Sequence, residues 1–319
     1  MPSYSVPARG TVEWGYIVVP TGFTTDTWVT SIEIRPENRE SVHHVVTYVQ
    51  PYSASVPRGV FIWDQKQRDA NGVATPGQAF LNAQMIADNG QTVRANEILS
   101  GEPAAVYVPG GQPQDYAAHG AAKLIPANSD LVINVHYQTT GKPVTERTRI
   151  GFTIAKEPPS MRFLTLARQP RGITDPKVFR IPAGDANWSS PPVEITFNTD
   201  AALVWMMPHM HARGKDMTYR LTYPDGRTEI ALSVPRYDFN WQLGYTPVIP
   251  LKVTKGTQMR IDAHFDNSAA NRGNPDPKVD VYGGTQTWEE MMNPWFGVIF
   301  DRRIDPATLM TTTAVRGGA

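Results

Sequence analysis

Cysteine is absent from the 319 residues. That excludes a disulfide framework, a zinc–cysteine site, an iron–sulfur cluster and a cysteine nucleophile. Charge imbalance is absent too: Lys+Arg and Asp+Glu are each 30, so the formal net charge is zero. That argues against a basic surface for nucleic acid and against a polybasic membrane patch. No apolar run approaches the roughly 20 residues a spanning helix needs. The N-terminal MPSYSVPARG lacks the basic start and apolar core of a signal peptide. The segment SVPARGTVEW reads as a strand entered mid-protein. The expectation is therefore a mature or excised piece of a longer chain, periplasmic or secreted rather than cytoplasmic. There is no phosphate-cradling glycine loop, nucleophile elbow or H-E-x-x-H.

Proline is abundant instead, at 28 of 319. A helical bundle tolerates that poorly, because proline in a helix interior costs about 3 kcal/mol. The apolar spacing has period two, as in Trp14–Val18, Trp28–Ile34, Leu131–Val135 and Met217–Tyr223. Turn signals at Pro51-Tyr52, Pro109-Gly110-Gly111, Pro224-Asp225-Gly226 and Lys255-Gly256 break it often. This predicts an all-β chain built of antiparallel sandwiches. Residues 77–89 read as one short helix or an irregular loop, Thr287–Met292 as the start of a helical turn, and Thr311–Ala319 as a loose tail.

The Pro-Pro pair in residues 155–162 follows the predicted strand Arg149–Ile154. It sets the expected domains at 1–156 and 157–319. An internal repeat supports two halves. IPANSDLVINVHY (125–137) aligns without a gap with VTKGTQMRIDAHF (253–265), matching His136 to His264. Each half also carries a close histidine pair upstream, His43-His44 and His209-Met210-His211.

On a strand the i and i+2 positions of H-x-H share a face and could grip one metal ion. Adjacent His43 and His44 would point to opposite faces, so both reach one metal only at a bulge or strand end. His136 reads either as a third ligand or as a hydrogen-bonded core residue. Near the C-terminus stands Glu290-Met291-Met292. A thioether is a poor ligand for Zn²⁺ and a good one for Cu(I). His119 matches no motif and reads as surface. The oxygen-rich run 266–277 is explained by Asx and proline turns or by Ca²⁺. Arg213 and Lys215 beside the H-x-H read as anion attractors or as a solvated strand end.

The order His-His, His-Tyr, His-x-His, Glu-Met, together with the strings PHMH-R-GK and QTW-EMM, resembles the copper type II, ascorbate-dependent monooxygenases. That is the family of peptidylglycine α-hydroxylating monooxygenase and dopamine β-monooxygenase, with bacterial relatives. The resemblance runs from about Tyr4 to Arg302. It implies two tandem jelly-roll-like β-sandwiches with a cleft between them and two coppers per chain. His43, His44 and His136 would hold an electron-transfer copper in the first domain. His209, His211 and Met291 would hold the oxygen-binding copper in the second and form the catalytic set. The activity implied is insertion of one oxygen atom of O₂ into a C–H bond of a small organic substrate. The electrons would come from ascorbate or an equivalent reductant, delivered directly or by a redox domain or donor protein.

Two family positions differ. Met207 stands where the peptide-amidating members carry an arginine that grips a carboxylate, and Trp295 replaces a tyrosine, while Asn293 is kept. These three are the candidate substrate contacts, and they imply an apolar or aromatic substrate. By the repeat, His264 would be a structural or supporting residue. The other readings of the same residues are a non-catalytic copper-binding or copper-delivery protein and, less well supported by the methionine, a zinc hydrolase using His43, His44 and His136.

Overall fold

A computed structural model describes residues 1–65, 84–99 and 101–312. They are overwhelmingly β, in several sheets, with one short α-helix at Ala95–Ile98 and three short 3₁₀ turns. No helix among them is long and apolar enough to cross a membrane. The chain divides into two compact units, the first ending at Thr165 and the second resuming at Leu166.

The first unit contains a seven-stranded antiparallel sheet. Its spatial order is Thr92–Arg94, Gln84–Ala87, Phe61–Asp64, Gly15–Pro20, Ser129–Tyr137, Val42–Pro51 and Glu102–Tyr107. Tyr16, Val18, Ile62, Met85, Val93 and Val132 pack one core on this sheet. They come from alternating positions, as the pleat requires for a face turned inward. A second layer contains Arg149–Ile154, Thr27–Arg35 and Ala121–Ile125, paired antiparallel. The strand beginning at Met161 joins its edge in parallel, Ala121 opposite Met161. That pair departs from the all-antiparallel expectation.

The second unit contains the sheet Thr228–Val234, Gly214–Thr222, Gln258–Phe265, Val193–Phe197 and Met310–Thr312, with Trp188–Ser189 also against Gln258–Phe265. Trp295–Asp301 pairs antiparallel with Ala201–Met207, and Ala201–Met207 with Leu251–Val253. Both units thus have the layered β architecture expected of sandwich and jelly-roll folds.

The two arms of the repeat are the interior strands Ser129–Tyr137 and Gln258–Phe265. Each follows a residue in the left-handed region, Asn128 at φ 55° and Gly256 at φ 90°. Asparagine and glycine are the residues that reach it at least cost. Ser129–Tyr137 is buried throughout, whereas Gln258–Phe265 alternates. The repeat therefore preserves the strand and not its burial.

Three local expectations change. Gln84–Ala87 is a strand held between two neighbours, not a helix or loop; residues 77–83 lie outside the described ones. Thr311 and Thr312 pair with Val193–Phe197 rather than starting a tail, because Met310 opposite Phe197 anchors that edge; residues 313–319 lie outside the described ones. The helix Ala95–Ile98 lies where no helix is expected, and its Glu97 carboxylate accepts from the Arg94 backbone N–H at 3.0 Å.

Candidate metal centres

The first histidine set is assembled by strand register. His44 lies directly opposite His136, and opposed residues in an antiparallel pair share a face. The next pair is Val42 with Tyr137, so His43 is the extra residue of a β-bulge. A bulge re-aims a side chain. The His43 ring comes to 5.3 Å from that of His44 and 5.4 Å from that of His136, and the last two lie 5.1 Å apart. One ring nitrogen from each of the three lies within 4.8 Å of the others. The bulge condition for two adjacent histidines to reach one ion is met.

His44 and His136 are buried and His43 is half-buried. Burial lowers the pKa of His43, which favours the neutral, ligating imidazole at neutral pH. Trp14 packs beside the set, its ring 5.4 Å from His44 and 6.0 Å from His136. Behind the last histidine, Tyr137 donates to the Glu146 carboxylate at 3.1 Å.

The second set forms differently. His209, Met210 and His211 lie just past the strand Ala201–Met207, not on it. Pro208 has no N–H with which to continue a ladder. The rings of His209 and His211 still face each other, 5.3 Å apart. Side chains replace the missing strand partners of Met210: the Tyr237 hydroxyl accepts from its N–H at 3.1 Å and donates to its carbonyl at 2.6 Å. A Cβ at Gly214 would sit 2.7 Å from both Met210 Cβ and Tyr237 Cδ1, so this close approach needs glycine.

Both rings are fixed in one tautomer. Gln242 Nε2 donates to the Phe239 carbonyl at 2.8 Å, which turns Gln242 Oε1 toward His209 Nδ1 at 2.6 Å. His211 Nδ1 meets the Glu289 carbonyl at 3.1 Å. Each Nδ1 faces an acceptor and must carry the proton, which leaves Nε2 as the lone-pair donor in both.

The segment Glu289–Asn293 runs along this turn. Its first residue meets the His211 ring, and the Asn293 N–H donates to the His209 carbonyl at 2.9 Å. Met291 lies between them in sequence and is 2% exposed. Met292 Sδ lies 3.1 Å from Ser190 Oγ, whose single proton is also within reach of the Pro191 carbonyl at 2.9 Å.

Glu290 has no exposed surface. Its Oε2 accepts from the N–H groups of His211 at 3.0 Å and Met291 at 3.2 Å, and its Oε1 from that of Arg213 at 2.6 Å. Burial pushes its pKa up to about 7, against the pull of those hydrogen bonds and of the Arg213 charge.

Met207 and Trp295 are Cα partners across two strands and are 2% and 4% exposed. Asn293 is half-buried, and its Oδ1 is buried without a hydrogen-bond partner.

Arg213 is neither an anion attractor nor a solvated strand end. It is 1% exposed and donates to Asn267 Oδ1 at 2.8 Å and the Trp288 carbonyl at 2.9 Å. Lys215 donates to the Ala186 carbonyl and Asn187 Oδ1. In the run 266–277, Asp266, Asn271 and Asn274 each accept from the backbone N–H two residues on, as Asx turns do. His264 Nδ1 lies 2.7 Å from Asp216 Oδ1 and belongs to neither histidine set. His119 is half-buried on the 3₁₀ turn Ala117–His119, 5.9 Å from the Phe163 ring.

Gln242, Tyr237 and the carboxylate of Glu290 are the supporting residues that sequence reasoning missed. Only Glu290 left a trace, in the acidic–Met dipeptide. Gln242 and Tyr237 sit in the loop after Val234, with no spacing to tie them to the histidines.

No protein-family model matches the chain, and no curated protein matches it. Solved structures with a distant likeness include those described as "Structure of infectious bursal disease virus Gx strain" and "Structure of infectious bursal disease virus Gt strain". The first is 10% identical, covers 96% of this chain and 72% of its own, and has a TM-score of 0.22. The second is 11% identical with the same coverage and a TM-score of 0.18. Similarity at this level carries no argument about this chain.

Proposed function

We propose that the chain is a copper type II monooxygenase that hydroxylates a C–H bond of a small, apolar or aromatic substrate with O₂ and a one-electron reductant such as ascorbate. The observation that carries the reading is the bulge that turns His43 and His44 together onto His136. Three mutually close imidazoles, with neither cysteine nor carboxylate among them, suit copper or zinc, and the thioether assigned to the second site favours copper. His43, His44 and His136 would hold one ion, and His209, His211 and Met291 the other. Bound copper would supply one-electron redox chemistry and a coordination position for O₂.

The chain's own residues have separable tasks. Gln242 and the Glu289 carbonyl hold the two imidazoles with Nε2 presented. A thioether at Met291 favours the reduced ion over the oxidised one. Arg213 and Lys215 are committed to structural bonds, and Met207 supplies no charge, so these positions favour a neutral substrate over a carboxylate.

The test is copper content and EPR of protein reconstituted with Cu(II), followed by substrate-dependent O₂ consumption with ascorbate. Two type II coppers per chain and turnover are expected. Two coppers that pass to an acceptor protein without turnover would replace this reading by copper delivery. Zinc retained with no copper bound would replace it by the hydrolase.

A further inference from the structure

Three links join the two segments that would supply the second copper site: Asn293 N–H on the His209 carbonyl, the Glu289 carbonyl on the His211 ring, and the Glu290 carboxylate, which alone reaches the backbone of both His211 and Met291. Glu290 Oε2 accepts from His211 N–H and from Met291 N–H, 3.0 and 3.2 Å away. Its Oε1 accepts from Arg213 N–H at 2.6 Å. One oxygen therefore receives the backbone N–H groups of a proposed imidazole ligand and of the proposed thioether ligand. These residues are far apart in sequence and do not pair in a regular ladder at this point: the strand ended at Met207. The neighbouring contacts are fixed as well. Glu290 N–H donates to the Tyr282 carbonyl at 3.0 Å, and Gly284 N–H donates to the Glu290 carbonyl at 2.9 Å. At Gly284 a Cβ would fall 2.2 Å from Glu289 Oε2, so the Glu289 side chain packs directly against the Gly284 backbone.

A buried carboxylate costs stability unless hydrogen-bonded, and this one is satisfied by main-chain donors from both segments. A hydrophobic side chain would fill the space without linking them. Rotating thioethers are weak, flexible ligands, and a site that relies on one needs its backbone placed by something other than the metal.

We propose that Glu290 is a positioning residue of the second copper site: by spanning His211 and Met291 it sets the thioether at bonding reach of the two imidazoles before any ion binds. This rests on the copper reading above. It assigns Glu290 no contact with substrate or metal.

Reach and charge can be separated by two substitutions. Glu290→Asp keeps the charge and withdraws the carboxylate by one methylene, so it cannot span both segments. Glu290→Gln keeps the reach, and its amide oxygen can still accept from His211 and Met291, while its NH₂ meets the Arg213 N–H donor to donor and must shift away from it. The readout is Cu K-edge X-ray absorption of the Cu(I)-loaded full chain for sulfur scattering. It is accompanied by Cu(I) affinity from competition with a chromophoric chelator, Cu(II) EPR of the first site and circular-dichroism melting of the metal-free protein.

The expected result is sulfur scattering in the wild type and in Glu290→Gln, and its loss in Glu290→Asp, with at least about tenfold weaker Cu(I) binding at one of two sites. The first-site EPR should be unchanged in both. Sulfur scattering and affinity retained in a folded Glu290→Asp would overturn the proposal, as would loss of sulfur in a folded Glu290→Gln. If Glu290→Asp fails to fold, the Glu290→Gln result still decides. Wild-type protein with two coppers and no sulfur scattering would instead overturn the Met291 ligand assignment, and this proposal with it.

Discussion

The two histidine sets are built by different means. In the first unit the three histidines sit on adjacent strands of one sheet, and their convergence follows from the backbone ladder plus one bulge at His43. In the second, the H-x-H has left its strand, and side chains hold it: Tyr237 on Met210, Gln242 on His209, Glu290 on His211 and Arg213. A ladder distributes its hold over many hydrogen bonds, whereas a clasp concentrates it in a few buried polar groups, each costly to lose. The first arrangement should therefore tolerate single substitutions around it, and the second should not.

Buried cations offer the sharpest contrast. Arg213→Met should be the most disruptive change. It removes the guanidinium bonds to Asn267 Oδ1 and the Trp288 carbonyl, although Asn274 Nδ2 still donates to that Oδ1 at 3.0 Å, and it removes the positive charge beside Glu290. Breaking such a buried polar network costs about 3 to 5 kcal/mol, read as a fall in urea-unfolding stability. A loss under about 1 kcal/mol would mean the second set does not depend on its clasps.

His136→Ala comes next. It removes one imidazole of three, and on the copper reading proposed above the metal bound per chain should fall from two equivalents to one, with the second site's sulfur scattering intact. Loss of both coppers would show that the two sets are not independent.

A pH experiment probes the first unit. Burial raises the pKa of Glu146, although Thr148, Tyr137 and the Glu37 N–H pull it down. A carboxyl whose folded pKa is raised binds its proton more tightly folded than unfolded. Its contribution is therefore most favourable below the usual carboxylate range and is lost as pH rises through the folded value. Stability of the metal-free wild type minus that of Glu146→Gln should decline as pH rises from about 4.5. A difference that grows with pH would reverse the assignment.

Lys123→Met should have the smallest effect. Lys123 is 1% exposed and bonds Glu102 at 2.7 Å, but Arg162 holds the other oxygen of that carboxylate at 2.6 Å. Burial already lowers the lysine pKa. Exchange for an apolar side chain of similar volume should leave stability within about 1 kcal/mol of the wild type, or raise it. A loss like that of Arg213→Met would erase the contrast between the units.

Much of the fold is legible in the residues. Alternation predicted strands at Trp14–Val18, Trp28–Ile34, Leu131–Val135 and Met217–Tyr223, and the structure has Gly15–Pro20, Thr27–Arg35, Ser129–Tyr137 and Gly214–Thr222. Short elements escaped, Gln84–Ala87 and Ala95–Ile98 among them, because a few residues give no period to read. Arg213 was misread for another reason. Its string looks like a strand leaving the core, and its burial depends on Asn267, Trp288 and Asp276 far along the chain.

By itself, then, the sequence determined that the chain is all-β, where its longer strands run, and which residue types could hold a soft metal ion. Those follow from local period and side-chain chemistry. Which histidines share one space was decided only by the tertiary structure. Whether His43 faces with or against His44 turns on a single extra residue in the pairing with Ser129–Tyr137, and a one-residue change of register reverses a side chain's face. The support of the second set by Gln242, Glu290 and Arg213 is likewise tertiary, because hydrogen bonds between loops distant in sequence leave no periodic mark on the chain.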